Sequence, residues 1–192
     1  EFVDTILGAN AHVTVYAMPE ADARGAVNRV IEDYAGMAAR IADLPGVTRA
    51  APLVRGQVMA TANQRNTGAE VYGIAAADLA TLPRIADPEE SAGDIARFGA
   101  GVALGSGIAR QLGLAAGDTI RLISPEGVKT AFGTSPRVKT YEVAYIFTAG
   151  RYDIDRTRIY MPFAEAQSYF NREGVADEIG VMVRDPDRVE AA

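Results

Sequence analysis

One stretch, residues 102–170, constrains the fold more than any other. It reads VALGSGIARQLGLAAGDTIRLISPEG, then a polar segment marked by Gly and Pro, then YEVAYIFTAGRYDIDRTRIYMPFAEAQSYF. Val102-Ala103-Leu104 is a short strand, and Ser106 to Leu112 a helix with Gly113 as its C-cap, since glycine tolerates the left-handed position there. Gly117-Asp118 turns the chain into a strand, Thr119 to Ile123, that should pair with Tyr141 to Phe147. Between them lie residues 124–140, too long for a tight turn. A segment of that length holding Gly127, Gly133 and Pro136 is either an extended functional arm or disordered. Arg158 to Met161 is a strand, Pro162 suits a helix start, and Phe163, Ala166, Gln167 and Phe170 lie on one helical stripe. No catalytic group sits at any of these joints, which argues for a docking module.

The chain ahead of this stretch reads as β-α-β with a hairpin return. His12 to Tyr16 is β-branched and alternating, hence a strand. Val27, Val30, Ile31, Tyr34, Ala38, Ile41 and Leu44 recur at helical spacing, and Pro45-Gly46 stops that helix. Val47 to Ala60 is extended, with Pro52 arguing for an edge or bend. Residues 63–68 form a turn and Ala69 to Ile74 a returning strand. Asp78 to Leu82 reads as one helical turn, 86–99 as a loop with a short helix, and Ile179 to Val183 as the last strand. The fold class expected is α+β. Glu1-Phe2 without a Met, and the abrupt close at Asp185-Pro186 to Ala192, look like the ends of a domain cut from a larger protein.

Composition narrows the function. With 192 residues, 48% hydrophobic and 23% charged, the chain can bury a full core. A net charge of −6, with 19 Lys+Arg scattered among 25 Asp+Glu, lacks the basic stripe that nucleic-acid binding requires. The absence of cysteine excludes disulfides, thiolate catalysis and cysteine-ligated metals. No run approaches the roughly 18 apolar residues of a membrane span.

Chemistry is equally sparse. The single histidine, His12, has Asn10 and Thr14 as neighbours and no adjoining acid, so it reads as structural. Asp153 and Asp155 beside Tyr152 form one carboxylate pair without a third ligand, a poor cation site that fits a polar hairpin better. Glu89-Glu90 and Asp94 read as solvated acids. Leu104-Gly105-Ser106-Gly107 lacks the third glycine of a dinucleotide fingerprint and the Gly-x-Ser-x-Gly of a hydrolase elbow, so Ser106 is an N-cap or first-turn residue. No enzyme, no metal and no cofactor are expected. The arm is different: around Thr130, Ala131, Phe132, Gly133 and Pro136, one aromatic stands between glycines and a proline, flanked by Lys129, Arg137 and Lys139. An apolar anchor ringed by cations suits a protein partner with an acidic rim.

Several motifs together resemble a known family. Ile6-Leu7-Gly8-Ala9-Asn10-Ala11-His12-Val13 is similar to the opening of the periplasmic domain of lipoprotein-releasing ABC transporter permeases (LolC/LolE). So are Val102 to Gly113 with Ala116-Gly117-Asp118-Thr119, Ile159-Tyr160-Met161-Pro162 with Ala166-Gln167, and Glu178-Ile179-Gly180-Val181. The resemblance implies a two-lobed MacB-like periplasmic domain: a porter-like β-α-β lobe (1–75 and 176–192) with an inserted, mostly β, sabre-like lobe (76–175) carrying a protruding hairpin arm (124–140). It implies a non-catalytic domain on the periplasmic face of the Gram-negative inner membrane, joined to the membrane by transmembrane helices outside this sequence. It further implies extraction of lipoprotein cargo, driven by a separate cytoplasmic ATPase and shared with a partner permease, and handover to a periplasmic carrier (LolA-like). The hook that docks the carrier corresponds to Val128–Pro136, with Phe132 at its apolar contact and Arg137 and Lys139 at the basic pad. Phe132 stands where the family's pattern has Met, and the preceding Pro is missing. The same scaffold in an efflux or mechanotransmission permease would instead bind an adaptor protein. A small-molecule hydrolase would need His12 or the Asp153/Asp155 pair to converge in a cleft.

Overall fold

The computed structural model describes residues 11–18, 20–21 and 27–184, and the side chains of Glu20, Ala21, Val27, Asn28, Glu126, Val128 and Lys129 lie outside that description. The opening motif at 6–10 and the closing stretch 185–192 therefore also lie outside it.

The elements in chain order are β1 (Val13–Tyr16), the short pair β2 (Glu20–Ala21) and β3 (Val27–Asn28), α1 (Tyr34–Ala42), β4 (Val47–Ala62) and β5 (Arg65–Ile74). Two single helical turns follow, α2 (Ala76–Leu79) and α3 (Pro83–Ala86), then β6 (Glu90–Gly93), a 3-10 helix (Ile95–Ala100), β7 (Val102–Gly105) and α4 (Ser106–Leu112). The chain closes with β8 (Thr119–Thr130), β9 (Gly133–Thr148), α5 (Tyr152–Thr157), β10 (Arg158–Pro162), α6 (Phe163–Tyr169) and β11 (Glu178–Val183).

The fold is α+β and two-lobed. In the smaller lobe, β11 pairs antiparallel with β1 on one side and with Val47–Leu53 of β4 on the other. Ile31, Ala38, Ile179 and Val181 fill the space beneath α1. In the larger lobe, pairing runs β4–β5–β10–β7–β9–β8 and returns from β8 to β4 through Met59↔Ile123, Ala60↔Leu122 and Thr61↔Arg121, closing a barrel. Its inward side chains, among them Val54, Val71, Leu104, Ile120, Leu122 and Ile159, share a core with α4 and α6. The alternate residues Ile74, Ala103, Phe147 and Tyr160 face outward under Leu79, Ile85 and Phe98 of α2, α3 and the 3-10 helix.

Several local expectations change in the structure. The first helix begins at Tyr34 rather than near Val27, because Asp33 caps it by accepting the Gly36 amide, while Ile31 bridges instead to Ala176. The turn after β4 narrows to Asn63-Gln64, both left-handed, as a two-residue hairpin loop on a right-twisted ribbon requires. Residues 54–74, read with the first lobe, supply two barrel strands, since β4 crosses from one sheet to the other near Pro52. Pro52 pairs with β11 alone, so its missing N–H leaves no ladder bond broken on the far side. Gly113 does cap α4, at φ 66° and ψ 42°.

Candidate docking site on the β8–β9 arm

Residues 124–140, expected to be too long for a tight turn, are strand almost to the tip. β8 and β9 stay paired out to Thr130↔Gly133, leaving Ala131-Phe132 as the loop, with the Thr130 hydroxyl donating to the Gly133 carbonyl at 2.8 Å. Gly133 sits at φ 122°, where a Cβ would be strained. Phe132 is fully exposed at the end of this ribbon. An aromatic held so far into water by a regular hairpin has no packing role in its own chain.

The foot of the arm is fastened to α6. Arg137 donates to the Ser168 carbonyl and, at 2.8 Å, to Asn171 Oδ1, and the Tyr169 hydroxyl donates back to the Arg137 carbonyl at 3.3 Å. Asn171 Nδ2 reaches the Gly127 carbonyl in the irregular part of β8, where the register slips between Ser124 and Val128. Lys139 pairs with Glu165, which also accepts from the Tyr141 hydroxyl at 2.8 Å. Partial burial pushes the Glu165 carboxyl up, but the hydrogen bonds from Lys139 and Tyr141 and the Lys139 charge outweigh it and hold the group below its ordinary value. Burial, then the same hydrogen bond, drives the Tyr141 phenol far above its usual range.

The candidate contact residues thus fall into two groups. Thr130, Ala131, Phe132 and Gly133 form the tip, and Pro136 is exposed along β9. Arg137 and Lys139, expected to ring the aromatic, are bound to α6 at the foot instead. Spacing along the chain places them near Phe132, but a strand carries successive residues about 3.3 Å apart and moves them well down the ribbon. Sequence reading missed Arg121 and its neighbours Thr61 and Thr140 in register across β4, β8 and β9. Only the strand pairing brings them together.

Elsewhere the chemistry is structural. His12 Nδ1 accepts the Val183 amide at 3.0 Å, within the small sheet. Asp153 and Asp155 lie on α5 rather than on a hairpin: Asp153 pairs with Arg151 at 3.0 Å, whereas Asp155 is buried and accepts the Ala149 amide at 2.7 Å. Burial pushes the Asp155 carboxyl up against the lowering effect of its backbone donors. Ser106 is the first residue of α4, and its buried hydroxyl caps nothing. A cavity of about 230 Å³ at the junction of the two sheets is lined by charged pairs. Arg49 meets Asp78 at 3.1 Å, and Arg55 bridges Glu70 and Glu178. Arg55 and Arg158 stack on the Tyr72 ring at 4.4 and 4.2 Å. Among the described residues no cluster of three or more His, Asp or Glu could hold a metal, and no helix is long and apolar enough to cross a membrane.

With this geometry in hand, the chain can be set beside known proteins. The profile of the MacB-like periplasmic core domain matches residues 1–192. The lipoprotein-releasing system transmembrane protein LolC of Neisseria meningitidis serogroup B (strain ATCC BAA-335 / MC58) is 24% identical over 148 residues, 76% of this chain and 36% of the relative. The chain therefore spans about a third of the length of that curated relative. Two solved structures share the fold. The extracellular domain of the noncanonic ABC-type transporter YknZ from Gram-positive bacteria superposes with a TM-score of 0.53 at 14% identity, covering 93% of this chain and 88% of that one. The periplasmic region of MacB from Actinobacillus actinomycetemcomitans gives 0.51 at 13% identity, covering 90% and 73%. The profile match over the whole chain, joined to a two-lobed fold shared with both structures, establishes that the chain belongs to the MacB-like periplasmic core domain family.

Proposed function

We propose that this chain is the partner-docking domain of a MacB-type ABC transporter permease, and that the β8–β9 arm is the element that docks. The observation that carries the reading is the fully exposed Phe132 at the tip of a hairpin whose foot is fastened to α6. An arm already ordered loses little conformational entropy on binding, so an apolar contact at its tip contributes nearly in full. The domain makes and breaks no bonds; ATP is hydrolysed on another part of the transporter, and the strand-built lobes carry motion to the docked protein.

The fold shared with MacB favours a periplasmic adaptor protein as the partner. A second reading has a specific observation behind it, the sequence match to LolC. In that reading the permease extracts lipoproteins from the inner membrane of a Gram-negative cell, alongside a partner permease, and the arm docks a periplasmic lipoprotein carrier.

The test is a titration of the purified chain against the adaptor and the lipoprotein carrier of its own organism, with Phe132→Asp alongside. Saturable binding of one of them, lost in Phe132→Asp, supports docking and names the partner. Binding unaffected by Phe132→Asp removes the arm from the interface.

A further inference from the structure

The Leu104-Gly105-Ser106-Gly107 motif lies away from the arm and builds a recess of its own. A Cβ at Gly105 would stand 2.3 Å from the Asp155 carbonyl oxygen, and one at Gly107 would stand 2.8 Å from the same oxygen and 2.6 Å from Arg156 Cγ. The two glycines therefore let α5 lie directly on the start of α4, with the Arg156 stem crossing Gly107. Between the two helices is a recess of about 510 Å³, lined by Gly107, Arg110, Gln111, Tyr152, Asp155 and Arg156.

The cations here are held by neutral groups. Arg156 donates to the Tyr152 hydroxyl and, at 3.0 Å, to Gln111 Oε1, with its guanidinium 5.2 Å from the Tyr152 ring centroid. Arg110 Nε donates to the Ser106 carbonyl at 3.4 Å, and Arg65 donates to the Gln111 carbonyl at 3.4 Å. All three arginines are exposed, and none makes an ion pair among the described residues. The neighbouring acids are committed elsewhere, Asp155 to the Ala149 amide and Asp153 to Arg151. Each guanidinium is thus oriented, yet keeps most of its N–H donors and all of its charge. In a chain of net charge −6, the recess is a local reversal of sign.

We infer that this recess binds a phosphate ester, with Arg110 and Arg156 on the phosphate oxygens and the Tyr152 ring against the group esterified to it. Charge and shape select the ligand. A phosphate monoester carries about two negative charges at neutral pH and three strong acceptor oxygens, which the forks of two arginines can share. A carboxylate brings only one charge and two oxygens. Tyr152 is 74% exposed, which leaves ring surface for an organic substituent. β10 separates α5 from α6 and the foot of the arm, so the site does not depend on the docking role proposed for the arm.

The experiment titrates the whole chain with inorganic phosphate, phenyl phosphate and benzoate, following backbone amide and arginine Nε–H signals by NMR. Arg110→Gln, Arg156→Gln and Tyr152→Ala are compared with the parent and with Arg121→Gln, which alters an exposed arginine outside the recess; thermal melts verify folding. The chain is then floated with phosphatidylcholine vesicles containing or lacking phosphatidic acid. The expected result is saturable, millimolar or tighter binding of phenyl phosphate, with shifts centred on residues 107–111 and 152–156. Binding should weaken about tenfold in each recess arginine variant and stay unchanged in Arg121→Gln. Tyr152→Ala should weaken phenyl phosphate more than inorganic phosphate. Flotation with phosphatidic acid that Arg110→Gln and Arg156→Gln abolish identifies a lipid headgroup as the source of the ester; saturable binding without flotation identifies a soluble ester. No saturable binding by the folded parent, benzoate bound as tightly as phenyl phosphate, or recess arginine variants within about twofold of the parent overturns the inference. Recess variants that weaken binding of the adaptor or the lipoprotein carrier, while the phosphate probes stay unbound, reassign the recess to an acidic protein segment and overturn the ligand named here.

Discussion

Replacing Gly73 by Ala tests how α6 is seated, and through α6 how the arm is held. A Cβ at Gly73 would stand 2.3 Å from the Ala166 Cβ and 3.2 Å from the Val54 Cβ. Carbon atoms in contact prefer about 3.5–4.0 Å, so the helix must retreat by more than about 1 Å. Neither methyl can rotate out of the way, and the Gly73 backbone is not left-handed, so crowding rather than dihedral strain sets the penalty. Overpacking costs about 1–3 kcal/mol, offset by about 0.4–1 kcal/mol from the stiffer unfolded chain. A net loss of about 1–2 kcal/mol is expected, near 2–4 °C of melting temperature for each kcal/mol in a chain of this size. Ala166→Gly alone should also destabilise, by about 1 kcal/mol for glycine inside a helix. Together they should cost less than the sum by about 1 kcal/mol or more, because the second removes the atom that the first strikes. Urea unfolding of the four proteins measures this cycle. Hydrogen exchange on Gly73→Ala should also show lower protection in the outer halves of β8 and β9, whose anchors ride on α6. A Gly73→Ala protein within about 0.5 kcal/mol of the parent, or two strictly additive losses, would refute the clamp.

Arg137→Ala should leave the barrel folded, lowering stability by about 1 kcal/mol for the lost hydrogen bonds while speeding exchange in residues 124–138; unchanged protection there would show the arm is held by pairing alone. Glu165→Gln tests the acid limb. Its carboxyl lies below the ordinary 4.5, so the stability it contributes is present above that pH and lost as pH falls through the lowered value. The gap in melting temperature between parent and variant should shrink toward pH 3. Glu178 behaves oppositely: burial, only partly countered by Arg55 and Tyr16, raises it above 4.5, so its favourable contribution is complete at lower pH and disappears as pH rises through the raised value. Glu178→Gln should therefore gain on the parent as pH rises above 4.5, and a pH-independent difference would rule out the shift.

Much of the local structure was legible from residue type. The glycine cap after Leu112, the strand-helix unit around Pro162 and the strand at Val13–Tyr16 all follow from signals a few residues long. The first helix was overextended because Val27, Val30 and Ile31 keep the helical period by coincidence while Asp33 supplies the real start. At the site, Phe132 was legible as an aromatic between turn-forming residues, whereas the posture of the cations was not. Arg137 and Lys139 are claimed by Ser168, Asn171 and Glu165, about thirty residues further on, and nothing near them in the chain announces those partners.

What sequence alone determined was individual caps, turns and strand-helix joints, such as the glycine after Leu112 and the helix start at Pro162, since capping, turn formation and periodicity act over a few neighbours. The tertiary structure decided how those elements were spent. It sent β4 through both sheets, closed the barrel by pairing Thr61 with Arg121, and set Met59, Ile123 and Val138 side by side across three strands. Which strand neighbours which is settled by burying every inward face at once, a condition on the whole chain that no short window contains.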